Sequence, residues 1–228
     1  MKCPIIGILG RVDVGSKSSI FLYEEYRIAI LKSGGIPLLI LPPYLDSVVN
    51  HSAFSMDVCE EEKKILERTL ELCDGFLFPG GSSWYGFDQY VFQYAYIHDK
   101  PVLGICLGMQ LIANYPHFNE KCSDFTETIS SFIEHQSKEC YVHSIQLFSS
   151  KLQDILDSDF ILVNSRHSSK IQNDSFFLVS SVSQDGVIES IEIPNRKFMI
   201  GVQWHPETLF MNDIYAQKLF QAFLKACF

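Results

Sequence analysis

The sequence predicts an α/β protein with an open, mostly parallel sheet, helices on both faces and a β-rich second half. Three observations predict it. Short runs rich in Ile, Leu and Val end at Gly or Pro, as buried strands do. Segments with apolar residues at helical spacing alternate with those runs through the first half. After about Tyr115 the helical pattern gives way to short strand-like runs separated by turns.

The elements follow in order. "PIIGILG" (Pro4 to Gly10) reads as a first strand, and "SIFLYEEYRIAILKSGG" as a helix stopping at Gly34-Gly35. "IPLLILP" is a second strand, closed by Pro42-Pro43. "EEEKKILERTLELCDG" is a helix ending at Gly75, and "FLFPGG" a third strand broken by Pro79 and Gly80-Gly81. "GFDQYVFQYAYIHDK" is helical, and "PVLGIC" is the fourth strand. The stretch from His117 to Phe148 carries no clear helix. "FILVNSRHSS", "SFFLVSSVS", "GVIESIEIP" and "KFMIGVQWH" read as strands, with a hairpin turn at Gln184–Gly186. "NDIYAQKLFQAFLKACF" is an amphipathic helix entered through an Asn/Asp cap. No linker or repeat divides the chain, so residues 1–228 are expected to form one domain.

Composition bounds the function. The chain is 47% hydrophobic and 20% charged, the balance of a globular protein, with a net charge of −9. Acidity argues against nucleic acid as a partner, since phosphate backbones are held by clustered Lys and Arg. No apolar run approaches the roughly 18 residues of a spanning helix. The opening stretch soon meets Arg11 and Asp13 and is a poor secretory signal, so a cytoplasmic protein without a membrane partner is expected. Seven cysteines at wide spacing, with no C-x-x-C, fit reduced thiols better than a disulfide framework or zinc ribbon.

One of those thiols sits in a special context. Gly104-x-Cys106-x-Gly108 follows a strand and opens a helix, the setting of a nucleophile elbow with cysteine as nucleophile. The sharp turn needs small neighbours, and the helix N-terminus behind it favours a thiolate. The amide of Leu107 stands where an oxyanion donor is needed. Taken alone, the pattern equally fits a buried cysteine in a glycine turn. "GVQWHPE" ends a second strand on His205, with Glu207 two residues on and able to orient the imidazole. In "LFPGGSS", the amides of the Gly80-Gly81 turn can supply a second oxyanion donor. His51, His98 and His117 lie in loop or helix-end settings and read as surface residues.

These motifs resemble the class I glutamine amidotransferase superfamily. "PIIGI", "GGIPLLILP", "FPGG", "VLGICLGMQ", "VNSRHSS", "DGVIESIE" and "GVQWHPE" occur in the order of its peptidase C26 branch, the gamma-glutamyl-gamma-aminobutyrate hydrolase-like proteins. The resemblance implies a flavodoxin-like fold. It implies Cys106 as nucleophile, His205 as general base and acid, Glu207 as orienting carboxylate, and the Gly81 and Leu107 amides as oxyanion hole. Gly80 and Gln110 match positions at the glutamyl site. Ser165 and His167 fall in a segment that lines the substrate pocket, although a polar loop histidine is the alternative for His167.

The implied reaction hydrolyses a gamma-glutamyl amide, or glutamine, through a gamma-glutamyl thioester. It needs no metal and no organic cofactor. A small-molecule gamma-glutamyl compound is the expected partner; a homodimer stays open. Leu107, "GGSSWYG" and "NYPHFNEKCSDF" depart from the branch's usual residues and imply a pocket of its own. Leu107 leans toward the alternative, a glutaminase subunit passing ammonia to a separate synthase. A non-enzymatic binding protein on the same fold is a third reading, disfavoured by the complete Cys, His and Glu set.

Overall fold

The computed structural model describes residues 3–14, 18–42, 58, 60–82, 84–118, 126–131 and 133–228. In chain order the strands and helices are β1 (Ile5–Leu9), β2 (Arg11–Val14), β3 (Ser18–Phe21), α1 (Glu24–Lys32), β4 (Ile36–Ile40), α2 (Glu60–Leu70), β5 (Gly75–Phe78), α3 (Gly86–Ile97), β6 (Val102–Ile105) and α4 (Leu107–Asn114). The second half adds β7 (Thr126–Thr128), β8 (His143–Leu147), α5 (Lys151–Leu156), β9 (Phe160–Val163), β10 (Ser169–Ile171), β11 (Leu178–Ser183), β12 (Ile188–Glu192), β13 (Met199–Val202), α6 (Pro206–Leu209) and α7 (Ile214–Ala226).

One large sheet organises them, in the order β4-β1-β5-β6-β13-β12-β11-β8-β9. The first five are mutually parallel, and the remaining junctions are antiparallel. Only β12 and β8 therefore run against the rest, so the sheet is mostly parallel, as the alternation of strands and helices predicts. The central strands are apolar at every position because both faces are covered. Phe76 and Phe78 pack into one core with Phe92, Met109 and Ile112 from α3 and α4, while Leu77 between them faces the other core, with Tyr26 and Ile30 of α1 and Phe220 and Phe223 of α7. Period-two alternation along β5 thus distributes adjacent residues to opposite layers.

The β-rich second half is confirmed, and the turn at Gln184–Gly186 joins the antiparallel pair β11–β12 with Gly186 at φ +82°. The last helix begins at Asp213, whose side chain accepts the Ala216 N–H at 2.8 Å. Three details differ from expectation. The first helix begins at Glu24, because Ser18–Phe21 pairs antiparallel with Arg11–Val14 in a β2–β3 ribbon. The β-branched and aromatic residues of "SSIF" suit that ribbon better than a helix start. Lys151–Leu156 forms a short helix, capped by Ser150 and ended by left-handed Asp157. At six residues it is too short to show a helical period. A separate two-stranded sheet joins β7 and β10. His98 is exposed as expected; His117 lies 3.3 Å from Asp174, and His51 lies outside the described residues. Cys3, Cys73, Cys106, Cys140 and Cys227 are free thiols, while Cys59 and Cys122 lie outside the described residues. No described helix is long and apolar enough to cross a membrane.

Candidate active site

Because β5, β6 and β13 are parallel neighbours, their C-terminal ends share one edge of the sheet. Gly80-Gly81, Cys106 and His205 follow those three ends directly. The register places Gly104 beside both Phe78 and Gly201, and the Cys106 N–H continues the ladder to the Val202 carbonyl at 2.8 Å. Residues far apart in the chain are thereby delivered to one edge, the position where open α/β sheets bind ligands.

Cys106 adopts φ +53° and ψ −104°, an unfavourable backbone for a residue with a Cβ, worth about 1–3 kcal/mol of strain. The surrounding glycines explain how the turn is held. A Cβ on Gly104 would lie 2.7 Å from the Gly108 carbonyl carbon, and one on Gly108 would lie 2.1 Å from the Phe78 carbonyl oxygen. Both obstacles are backbone and cannot rotate away. Gly201 allows the same close approach of α4 to β13, where a Cβ would lie 3.0 Å from Met109 Cα. Leu107 is the first residue of α4, so its N–H has no carbonyl partner within the helix.

His205 Nδ1 lies 2.7 Å from Glu207 Oε1, and both side chains are largely buried. Burial opposes charge on the imidazole, but the Glu207 carboxylate and the neighbouring Cys106 outweigh it and raise His205 to about 10. Asn164, fully buried, braces the backbone: its Oδ1 accepts the His205 N–H at 2.7 Å and its Nδ2 donates to the His205 carbonyl at 2.9 Å. The Asn164 Nδ2 also reaches Thr208 Oγ1 at 2.9 Å.

The Gly80-Gly81 turn is fixed from two sides. The Gly80 N–H donates to Tyr26 Oη at 2.9 Å. Arg11 donates to the Gly80 and Pro79 carbonyls at 3.2 and 2.7 Å, and pairs with Asp88 at 2.6 Å, with neither side chain more than 5% exposed. Burial pushes the Asp88 carboxyl up, and the Arg11 guanidinium opposes that rise. A Cβ on Gly80 would sit 2.9 Å from His205 Cε1, and one on Gly81 3.1 Å from Leu107 Cδ2, so the turn lies directly against both. Burial, followed by the charge of Glu207, pushes the Tyr26 phenol well above its usual range.

Cys106, His205, Glu207, Gly80 and Gly81 line one cleft of about 440 Å³, with Tyr26 and Thr208. Tyr23, Glu25 and Arg166 complete its described wall. Three expected substrate-site residues lie elsewhere. Gln110 is buried, with its amide near Gln203 Oε1 at 3.2 Å and the Ser169 carbonyl at 3.4 Å. Ser165 donates to the His135 carbonyl at 3.0 Å, and His167 is packed against His135 and Glu189. For Ser165 and His167 the facing of the side chains accounts for this placement. Along 165–167 the side chains alternate, so exposed Arg166 takes the cleft side while Ser165 and His167 turn inward. Arg166, Glu25, Asn164 and Arg11 carry no local motif; only the strand parity around "NSRHSS" hints that Arg166 faces opposite to its neighbours.

Comparison with known proteins fits this arrangement. Residues 85–207 match the family model of peptidase C26. The chain belongs to the peptidase C26 family. Among relatives of this C26 protein, the glutamine amidotransferase-like protein RP404 of Rickettsia prowazekii is 29% identical, with 98% of this chain and 97% of that protein covered. The gamma-glutamyl-gamma-aminobutyrate hydrolase PuuD of Escherichia coli is 27% identical, with 100% and 94% covered. The glutaminase domain of CTPS from Trypanosoma brucei, solved with bound acivicin, superposes with a TM-score of 0.65 at 18% identity, covering 97% of this chain and 94% of that one. The fold is that of the class I glutamine amidotransferases.

Proposed function

We propose that this C26 protein hydrolyses gamma-glutamyl amide bonds with Cys106 as nucleophile. The observation that carries the reading is the strained Cys106 turn facing, in one cleft, an imidazole already paired with Glu207. In the proposed sequence, Cys106 attacks the side-chain carbonyl of the glutamyl group, and His205 moves the proton from the thiol to the leaving amine. Glu207 holds the imidazole in one tautomer and stabilises the imidazolium. The Gly81 and Leu107 amides receive the developing oxyanion. Water, activated by His205, then resolves the gamma-glutamyl thioester, restores the thiol and releases the acid.

Charges at the mouth support an amino-acid head group as the recognised end. Arg166 offers a guanidinium for the glutamyl α-carboxylate, and Glu25 a carboxylate for its α-ammonium. The amine portion then points toward open cleft, which accommodates a range of sizes.

The test is to give the purified protein alone a panel of gamma-glutamyl amides and glutamine. Release of amine from a gamma-glutamyl compound supports the hydrolase. The second reading, a glutaminase delivering ammonia to a synthase, draws on Leu107 and on the similarity to a CTPS glutaminase domain. It requires little turnover alone and a large gain when a synthase partner is added.

A further inference from the structure

Outside the cleft, three histidines converge on one buried carboxylate. Glu189 of β12 is completely buried, and neither of its oxygens has a hydrogen-bond donor among the described residues. Its Oε1 lies 3.5 Å from His135 Nδ1, 3.5 Å from His143 Nε2 and 3.7 Å from His167 Nε2. His143 Nε2 likewise has no hydrogen-bond partner. No side chain in the group is more than 5% exposed.

The outward nitrogens explain why the inward ones need something else. His135 Nε2 lies 3.0 Å from the Asp185 carboxylate, His167 Nδ1 lies 3.0 Å from the Ser169 carbonyl, and His143 Nδ1 lies 3.5 Å from the Ser144 carbonyl. Each outward partner is an acceptor, so each ring carries its proton outward and turns a lone pair inward. His135 Nδ1 and His167 Nε2 then face each other at 3.2 Å, lone pair against lone pair. Ser165 Oγ, 3.4 Å from His135 Nδ1, gives its hydrogen to the His135 carbonyl. A buried carboxylate and inward-facing imidazole nitrogens around one dry point suit a bound cation.

We propose that His135 Nδ1, His143 Nε2 and Glu189 Oε1 form a buried site for one zinc ion, with His167 beside it. A tetrahedral zinc with nitrogen ligands at about 2.0–2.1 Å sets its ligand atoms about 3.3 Å apart, and Glu189 Oε1 lies 3.5 Å from both His135 Nδ1 and His143 Nε2. The donor atoms of His135, His143 and Glu189 all lie within 4.8 Å of one another. Imidazole suits zinc, and acceptors bonded to the far ring nitrogens are the usual outer support of such ligands. A small rotation of His167, whose Nε2 lies 3.7 Å from Glu189 Oε1, would close the shell with a fourth protein ligand, as in a structural site. The ion ties the loop at His135 and β8 to β12, and the His135 carbonyl accepts the N–H of His167 at 2.8 Å, in the segment that carries Arg166 to the cleft wall. The site stands independently of the proposed reaction.

The experiment uses the full chain, dialysed against a chelator and titrated with Co²⁺ and then Zn²⁺. One equivalent of Co²⁺ should give intense tetrahedral visible bands without a thiolate charge-transfer band, and Zn²⁺ should displace it one for one. Glu189→Gln and His143→Gln should each weaken zinc binding by about 100-fold or more, while Cys106→Ser binds as the parent does. Should either variant fail to fold, the Co²⁺ spectrum of the unaltered protein decides. Absence of metal uptake by the folded protein, a thiolate-type spectrum, or unchanged affinity in both folded variants would overturn the proposal.

Discussion

Asn164 grips His205 by both ends of one residue, accepting its N–H and donating to its carbonyl through a single carboxamide. The imidazole therefore has two restraints: Asn164 on the backbone and Glu207 on the ring. Asn164→Ala leaves the buried His205 N–H without its partner, while the Thr208 hydroxyl still donates to the His205 carbonyl at 3.0 Å, a loss of about 1–3 kcal/mol in stability. Because the ring then wanders relative to Cys106, kcat is expected to fall at least tenfold with KM little changed. Chemical denaturation and steady-state kinetics on the same preparation check both halves.

Cys106→Ser is expected to abolish turnover while leaving thermal stability close to the parent, since the change is nearly isosteric and the turn geometry persists. In the parent, a slow gamma-glutamyl substrate should leave an adduct on Cys106, visible by intact-mass and peptide analysis. Full activity of the serine variant, or an adduct on Cys73 or Cys227 instead, would remove Cys106 from the proposed mechanism.

The raised imidazole predicts a particular alkaline limit. His205 goes from an ordinary value of 6.5 to about 10 in the folded protein, so its protonated form is favoured by folding. The stability this contributes is fully present below about 6.5 and is lost as pH rises through about 10. Glu207→Gln removes the largest raising influence, so His205 should lose its proton at lower pH. NMR titration of the imidazole in the two proteins measures the shift directly; identical midpoints would show that Glu207 does not hold the charge.

Arg11→Met removes the guanidinium that holds Asp88 and the Gly80 turn. It leaves the fully buried Asp88 without its counter-charge, at a cost of about 3–5 kcal/mol. The added Asp88→Asn change should recover part of that loss, because the uncompensated charge disappears with it. Oxyanion stabilisation should not recover, since the Pro79 and Gly80 carbonyls stay unheld. Urea denaturation of the single and double variants, compared with their kcat, separates the two effects.

What the sequence makes legible depends on distance along the chain. The strands of the first half are readable because two-sided burial demands unbroken apolar runs. The elbow and the His205–Glu207 pair are readable because each is complete within a few residues. Ser165 and His167 are expected at the substrate pocket from their segment alone, but the facing of a side chain depends on strand parity, and Arg166 is the residue of that segment that lines the described cleft. Arg11 reads as a charge that ends an apolar run, but is buried, because its partner Asp88 lies 77 residues away. The cluster around Glu189 comes from four segments with no common spacing, so neither His135 nor His143 has any local pattern to mark it.

The contact between Gly108 and the Phe78 carbonyl has a further consequence. It locks the end of one strand to the first turn of a helix through main-chain atoms alone. The two amides assigned to the oxyanion hole, on Gly81 and Leu107, issue from those same two pieces. The spacing of those two pieces is thus gauged by peptide against peptide, with Arg11 and Tyr26 holding the glycine turn beyond it. Drift in the residues that line the cleft can retune which amine is accommodated without resetting that gauge, so selectivity and reaction chemistry are free to evolve on separate parts of the molecule.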